Sequence, residues 1–144
     1  MLSCVLDTDV MVAALRSSAG ASRQLLLFAL HRQFVLLLSV PLFLEYEAVL
    51  TRPEHLAASG LTAPEVGRVL DDLASVAKPV RLAFRWRPLL TDPDDDMVLE
   101  TAFNGDVNAI VTFNQQDFAK ASQRFAFAIW RPAEALLNIR SSKR

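Results

Sequence analysis

Short apolar runs alternate along the chain with longer segments in which apolar residues recur every three or four positions. The uninterrupted runs predict buried parallel strands, and the periodic segments predict helices packed on the sheet. Strands are predicted over residues 3–6, 34–38, 80–84, 109–112 and 125–129. Helices are predicted over residues 23–30, 42–50, 62–77, 92–104 and 132–139.

This alternation of strands and helices predicts an α/β fold, a three-layer α/β/α arrangement around a central parallel sheet with right-handed crossovers. In such sheets ligands bind beyond the carboxyl ends of the strands. No repeat or linker divides residues 1–144, so one domain is expected. The basic residues 140–144 are expected to form a frayed tail.

Composition narrows the class of protein. The 144 residues are 52% hydrophobic and 22% charged, too apolar for a disordered chain. A net charge of −1 excludes histone-like binding of nucleic acid by overall positive charge. The longest apolar stretch, residues 34–44, is interrupted and too short to cross a membrane, and no secretion signal precedes it. The single cysteine, Cys4, indicates a reducing cytoplasm.

Carboxylates stand where strands end and helices begin. Asp7 and Asp9 follow the first strand, where either could simply cap a helix. Glu45 shares a helix face with Leu42 and Tyr46, and an unpaired carboxylate on an apolar face is costly. A salt bridge or local exposure would also explain Glu45.

The densest acidic segment is Asp92-Pro93-Asp94-Asp95-Asp96. Capping and the helix dipole account for part of it, but the dipole contributes only about 0.3–1 kcal/mol per charge. By helical phase, Asp95 precedes the apolar face formed by Val98 and Leu99. Asp96 is expected beside Glu100 on a solvated face and is kept as a reserve candidate.

Asp7, Glu45 and Asp95 come from separate elements and could converge at one sheet edge. Without a cation, converging carboxylates repel one another. Hard oxygen ligands favour Mg²⁺ or Mn²⁺, and His31 and His55 show no ligand spacing. A cation at this edge could activate water for phosphodiester hydrolysis.

At these positions the chain resembles the PIN domain family, in particular bacterial PIN-family toxins related to VapC-type ribonucleases. The resemblance is carried in order by residues 5–10 (VLDTDV), Glu45, residues 92–95 (DPDD) with Leu99 and Ala102, residues 110–114 (IVTFN), and Asp117. It implies a metal-dependent endoribonuclease, the toxin of a type II toxin–antitoxin system, with Asp7, Glu45 and Asp95 as metal-binding catalytic acids. It also implies a cognate antitoxin as partner.

The chain departs from the family pattern at two positions. The family usually has Asn at position 9, where this chain has Asp9, and many members have Asp at position 114, where it has Asn114. We hypothesise that Asp9 or Asp117 restores negative charge near the cation; alternatively, Asp9 only caps a helix. Thr112 and Asn114 would then orient a ligand or a water molecule.

Most of the 15 basic residues are arginines, which suit phosphate contacts. Residues 85–87 interleave such groups with an aromatic side chain that could stack on a base. The candidate RNA-binding residues are Arg16, Arg23, Arg85, Trp86 and Arg87. Apolar segments 25–30 and 42–44 suggest a homodimer, although core packing is the simpler explanation.

Two other functions fit parts of the sequence. Residues 7–10 (DTDV) also resemble the aspartyl-nucleophile motif of haloacid-dehalogenase-type phosphatases, with Asp7 as the nucleophile. The acidic pair at Asp95 and Asp96 precedes Thr112, which is the wrong order for that family. The chain could also be a catalytically silent interaction module whose carboxylates only cap helices.

Overall fold

The structure is a computed structural model that describes residues 1–82 and 93–142, without the side chains of residues 93–96, 121, 122 and 124. Its strands are β1 (Ser3–Leu6), β2 (Val35–Leu38), β3 (Lys78–Pro79), β4 (Ala109–Val111) and β5 (Ala128–Trp130). Its helices are α1 (Thr8–Arg16), α2 (Ala21–Leu30), α3 (Val40–Leu50), α4 (Pro53–Ser59), α5 (Ala63–Val76), α6 (Pro93–Gly105), α7 (Gln115–Arg124) and α8 (Pro132–Ser141).

The described strands form one parallel sheet in the order β3-β2-β1-β4-β5. Cys4 lies opposite Leu36 on one side and Ala109 on the other, so β1 is fully enclosed. Helix α6 packs on β1, β2 and β4, while α2 packs against α1, α5 and α8. The three-layer α/β/α fold with a central parallel sheet is therefore confirmed.

The order in which strands are added to the sheet reverses between β1 and β4. From β1 the chain proceeds outward through β2 to β3, and then returns to place β4 on the other side of β1. In open parallel sheets such a switch point leaves a crevice at the carboxyl ends of the two strands. Asp7 follows β1 and Thr112 follows β4, so both stand at this crevice.

Local sequence signals explain most of the predicted helices. Ser39 caps α3 by accepting a hydrogen bond from the Leu42 N–H at 3.3 Å, and a proline occupies its first turn. The predicted capping box of α5 is present, with Thr62 and Glu65 bonded reciprocally. Helix α6 ends close to the sheet, and Gly105 permits this approach because a Cβ at that position would overlap Leu37.

The boundaries of three predicted segments are wrong. The third strand is β3 at residues 78–79, not residues 80–84, of which residues 83 and 84 lie outside the described part. The last strand lies at residues 128–130, three positions later than the start predicted at residue 125. Of the predicted frayed tail, Arg140 and Ser141 belong to α8, whose final turn Ile139 anchors in the core, and residues 143 and 144 lie outside the described part.

No helix in the described part of the chain is long and apolar enough to cross a membrane.

Candidate active site

Asp7 links the ends of β1 and β4 and is 5% exposed. Its N–H donates to the Val111 carbonyl at 2.9 Å, which extends the strand pairing by one bond. One carboxylate oxygen accepts the Thr8 N–H at 2.7 Å and thereby caps α1; the other accepts the Thr112 hydroxyl at 2.7 Å. Burial raises the pKa of Asp7, although the bonds from Thr112 and Thr8 oppose the shift.

Asp9 reaches the segment that follows β4. Its Oδ2 accepts the Phe113 N–H and the Asn114 side-chain N–H, each at 3.1 Å. Its Oδ1 is buried and receives no hydrogen bond from the described residues. Burial and then the charge of Asp7 raise the pKa of Asp9 from 3.8 to about 7. The charge of Asp7 therefore acts directly on Asp9, and the two carboxyl groups disfavour each other's ionisation.

The segment after β4 supplies the donors for both acids. The Thr112 hydroxyl donates to Asp7 and accepts the Asn114 N–H at 2.9 Å, so a single side chain connects the strand end to the next turn. Asp117 is exposed in the first turn of α7 and contributes a negative charge that further raises the pKa of Asp7. The structure thus bonds Thr112 to Asp7 and Asn114 to Asp9, and places Asp117 where its charge acts on Asp7.

Helix α3 carries Glu45 and is tied to β1 directly before Asp7. Tyr46, the next residue, is fully buried and its hydroxyl donates to the Leu6 carbonyl, directly before Asp7. Burial, with a smaller contribution from the charges of Asp7 and Asp9, raises the pKa of Tyr46 well above its ordinary value. Tyr46 therefore stays a neutral donor. Glu45 is half-buried, whereas Glu47 is exposed, which agrees with the predicted helix faces.

A buried hydroxyl pair ties α6 to α3. The Ser39 and Thr101 hydroxyl oxygens lie 2.7 Å apart, and Thr101 also donates to the Met97 carbonyl at 2.8 Å. This contact holds the middle of α6 near the carboxyl end of β2, and Asp95 and Asp96 stand in the first turn of the same helix. The side chains of those two acids lie outside the described residues. The face of α6 on which Asp96 and Glu100 are expected to be solvated is buried at Glu100, which is 1% exposed.

The candidate RNA-binding arginines are placed differently from one another. Arg16 is exposed in the last turn of α1. Arg23 is half-buried and donates to the Ala14 and Leu15 carbonyls at 2.5 and 3.5 Å, so it holds the end of α1 against α2. This placement favours a structural role for Arg23. Arg85, Trp86 and Arg87 lie outside the described residues.

Sequence reasoning missed the role of Tyr46 at this edge. The position of Tyr46 on the apolar face of α3 predicts its burial, but nothing in the sequence shows that its hydroxyl reaches β1. Glu100 is buried, although Asp96, one helical turn earlier, is expected on a solvated face. Among the side chains that are described, no three His, Cys, Asp or Glu residues form a complete metal-binding group. The acids of residues 94–96 are outside that set.

Comparison with protein families gives a match to the PIN domain over residues 3–116. The chain belongs to the PIN domain family. The matched range runs from β1 into the first turn of α7 and contains Asp7, Asp9, Thr112 and Asn114, whereas Asp117 lies one position beyond it. Neither the curated proteins nor the solved structures include a match. The PIN domain has a nuclease-type fold, which indicates a nucleic acid substrate and does not support the haloacid-dehalogenase alternative.

Proposed function

We propose that this PIN-domain protein is a divalent-cation-dependent endoribonuclease. The observation that supports it best is Asp9 Oδ1, a buried carboxylate oxygen without a hydrogen-bond donor among the described residues, beside the buried Asp7. Buried charges in proteins are paired or bind metals, and this one stands at the switch point of the sheet.

The donor set fits a hard cation. Asp7 and Asp9 present carboxylate oxygens, and we propose that Glu45 and Asp95 complete the set from α3 and α6, with Asp96 as the alternative. Such oxygens suit Mg²⁺ or Mn²⁺. When bound, the cation would activate water and offset the charge that develops on a phosphodiester during hydrolysis.

The chain's own residues orient these ligands. Thr112 fixes one oxygen of Asp7, while Phe113 and Asn114 fix Oδ2 of Asp9 and leave Oδ1 available. Tyr46 holds the carbonyl before Asp7 against α3. Substitution of a residue that hydrogen-bonds to a metal ligand typically lowers metal affinity or activity by about 10–100-fold. Asp117 would act on the ion at longer range. Arg16, on the exposed end of α1, would act on the RNA.

The biological setting is a second part of the proposal. We propose that the protein is a cytoplasmic toxin of a type II toxin–antitoxin pair, inhibited by an antitoxin and able to form homodimers. Helix α3 offers the apolar surface, since Val40 and Leu44 are 72% and 54% exposed beside a cavity of about 200 Å³. Co-expression with the neighbouring reading frame, followed by co-purification and a growth assay, tests this part separately.

Calorimetric titration with Mn²⁺, combined with cleavage of single-stranded RNA, tests the enzyme proposal. The wild type should bind Mn²⁺ and cleave, and Asp7→Asn should do neither. Asp72→Asn, an exposed carboxylate on α5, is the matched control and should match the wild type. Mn²⁺ binding that is equal in all three proteins, without cleavage, would favour the silent interaction module.

A further inference from the structure

A cavity of about 300 Å³ opens next to Asp9, between α1 and the N-terminal ends of α2 and α8. Its lining includes Ala13, which stands one turn after Asp9 on the same face of α1, where Cβ atoms are about 5–6 Å apart. It also includes Phe113, whose N–H donates to Asp9. The cavity and the carboxylate edge therefore share residues.

Phe113 gives the cavity an aromatic wall. It is 42% exposed although it follows a strand whose residues are all buried. Its backbone N–H is bonded to Asp9, so the residue that carries the ring is attached directly to the carboxylate edge. Nucleic-acid-binding proteins stack unpaired bases on such aromatic rings, and they do so with little sequence preference because every base has a π face.

Arg131 brings a positive charge to the same cavity. Its Nε donates to the Gln115 side chain at 3.1 Å, and Gln115 in turn donates to Glu134 at 3.2 Å. Within the described residues the two Nη groups of Arg131 make no hydrogen bond, so they are available to a phosphate. The guanidinium is thus held in place with its outer edge free, an arrangement that suits paired contacts to phosphate oxygens.

Ser22 adds a polar group to this lining. It is 4% exposed, and its Oγ has no hydrogen-bond partner among the described residues. A hydroxyl in such a position is normally satisfied by a protein group, a water molecule or a ligand. The cavity therefore combines an aromatic face, a cation and an unpaired hydroxyl.

We propose that this cavity receives the unpaired base of the nucleotide next to the scissile phosphate, stacked on Phe113, with Arg131 on the adjoining phosphate. The inference rests on the proposed nuclease function and names its substrate as single-stranded RNA with a base turned out at the cleavage site. Arg131 lies beyond the family match, which ends at residue 116, so that likeness does not supply this side of the cavity.

The first test is binding of a fluorescent RNA trinucleotide in EDTA, measured by anisotropy. Phe113→Ala should bind about tenfold more weakly and Phe113→Trp should retain affinity. Leu27→Ala is the matched control, because Leu27 is 45% exposed and does not line the cavity. Arg131→Ala should reduce the slope of log affinity against log salt by about 0.7, the value for one phosphate on a single strand, while Phe113→Ala should leave that slope unchanged.

The second test places an abasic residue at each position of a cleavable RNA. In the wild type, one abasic position beside the cleaved bond should lower kcat/KM about tenfold, and Phe113→Ala should abolish that difference. If kcat/KM is the same for every abasic position and trinucleotide affinity depends on Arg131 alone, the cavity binds only a phosphate. That result would overturn the base pocket. If no RNA is cleaved but binding of the trinucleotide still requires Phe113, the nuclease proposal fails and with it the position beside a scissile phosphate, while the base-binding role of Phe113 stands.

Discussion

The two ends of the β1–β4 strand pair are built differently. At the amino end, Asn108 Oδ1 accepts the Ser3 N–H at 2.9 Å and the Ser3 hydroxyl at 3.2 Å, and the Asn108 N–H donates to the Ser3 carbonyl at 3.0 Å. At the carboxyl end, Asp7 and Asp9 crowd their charges together, and Asp9 Oδ1 lacks a donor among the described residues.

The contrast separates stability from function within one pair of strands. The amino end is neutral and satisfied, so it fixes the register of β1 against β4 at little cost. The carboxyl end buries charge, which is unfavourable unless a counter-charge arrives. A protein that only needed the fold could have ended both strands with neutral residues.

The largest effect is expected from Asp7→Asn. RNA cleavage should fall by more than about 100-fold, because loss of a metal ligand should exceed the 10–100-fold typical of a ligand's partners. Without metal, the free energy of unfolding should rise, since the charge beside Asp9 is gone. Cleavage assays and urea unfolding in EDTA measure the two. A variant that becomes both inactive and less stable would contradict the comparison.

Exchange of residues 9 and 114 should have the next largest effect. Asp9→Asn should weaken Mn²⁺ binding about tenfold, and the double variant Asp9→Asn/Asn114→Asp should recover most of it, because the two side chains are hydrogen-bonded and the exchange preserves one acid and one amide. Calorimetric titration of the single and double variants measures this. Unchanged affinity in Asp9→Asn would remove the hypothesis of charge compensation.

The stability of the metal-free protein should depend on pH. The pKa of Asp9 is about 7 in the folded chain against an ordinary value of 3.8, so the folded state binds more protons between these values. The free energy of unfolding should therefore fall as the pH rises from about 4 to about 7, and then level off. Urea unfolding across this range measures it. Asp9→Asn should flatten the curve, and saturating Mn²⁺ should reverse its slope.

The smallest effect is expected at the amino end. Asn108→Ala should lower the free energy of unfolding by about 1 kcal/mol through lost hydrogen bonds, with kcat and Mn²⁺ affinity unchanged. Thermal unfolding and the cleavage assay together check this. A loss of Mn²⁺ affinity in this variant would mean that the amino and carboxyl ends of the strand pair are coupled.

The sequence predicts the buried parts of this fold well. Strands β1, β2 and β4 were found because buried parallel strands read as continuous apolar runs, and α5 because its capping box is specific. Helix α7 was missed because its residues are mostly polar and Phe118 is its one fully buried anchor among the side chains described. Helix α4 is absent from the predicted elements because a proline shortly after the helix predicted over residues 42–50 is typical both of a helix end and of the first turn of a new helix, which Pro53 begins.

The candidate site is likewise predicted only in part. Asp7, Asp9, Thr112 and Asn114 could be grouped from sequence because parallel topology brings the carboxyl ends of β1 and β4 to one edge. The bond between Asp9 and Asn114 could not be predicted, since it depends on the path of the turn after β4. The cavity at Phe113 could not be predicted from the sequence either, because it depends on the packing of α8 near α1.

The partners at the carboxylate edge are far apart in the chain. Asp7 and Thr112 are separated by 105 positions, and Asp9 and Asn114 by the same number. Contacts of such long range form late, because most of the chain must be collapsed before they can close. A growing polypeptide on the ribosome therefore lacks the paired carboxylate edge until the fourth strand has emerged. A chain that ends before β4 would therefore contain Asp7 and Asp9 but none of the groups after β4 that bond to them.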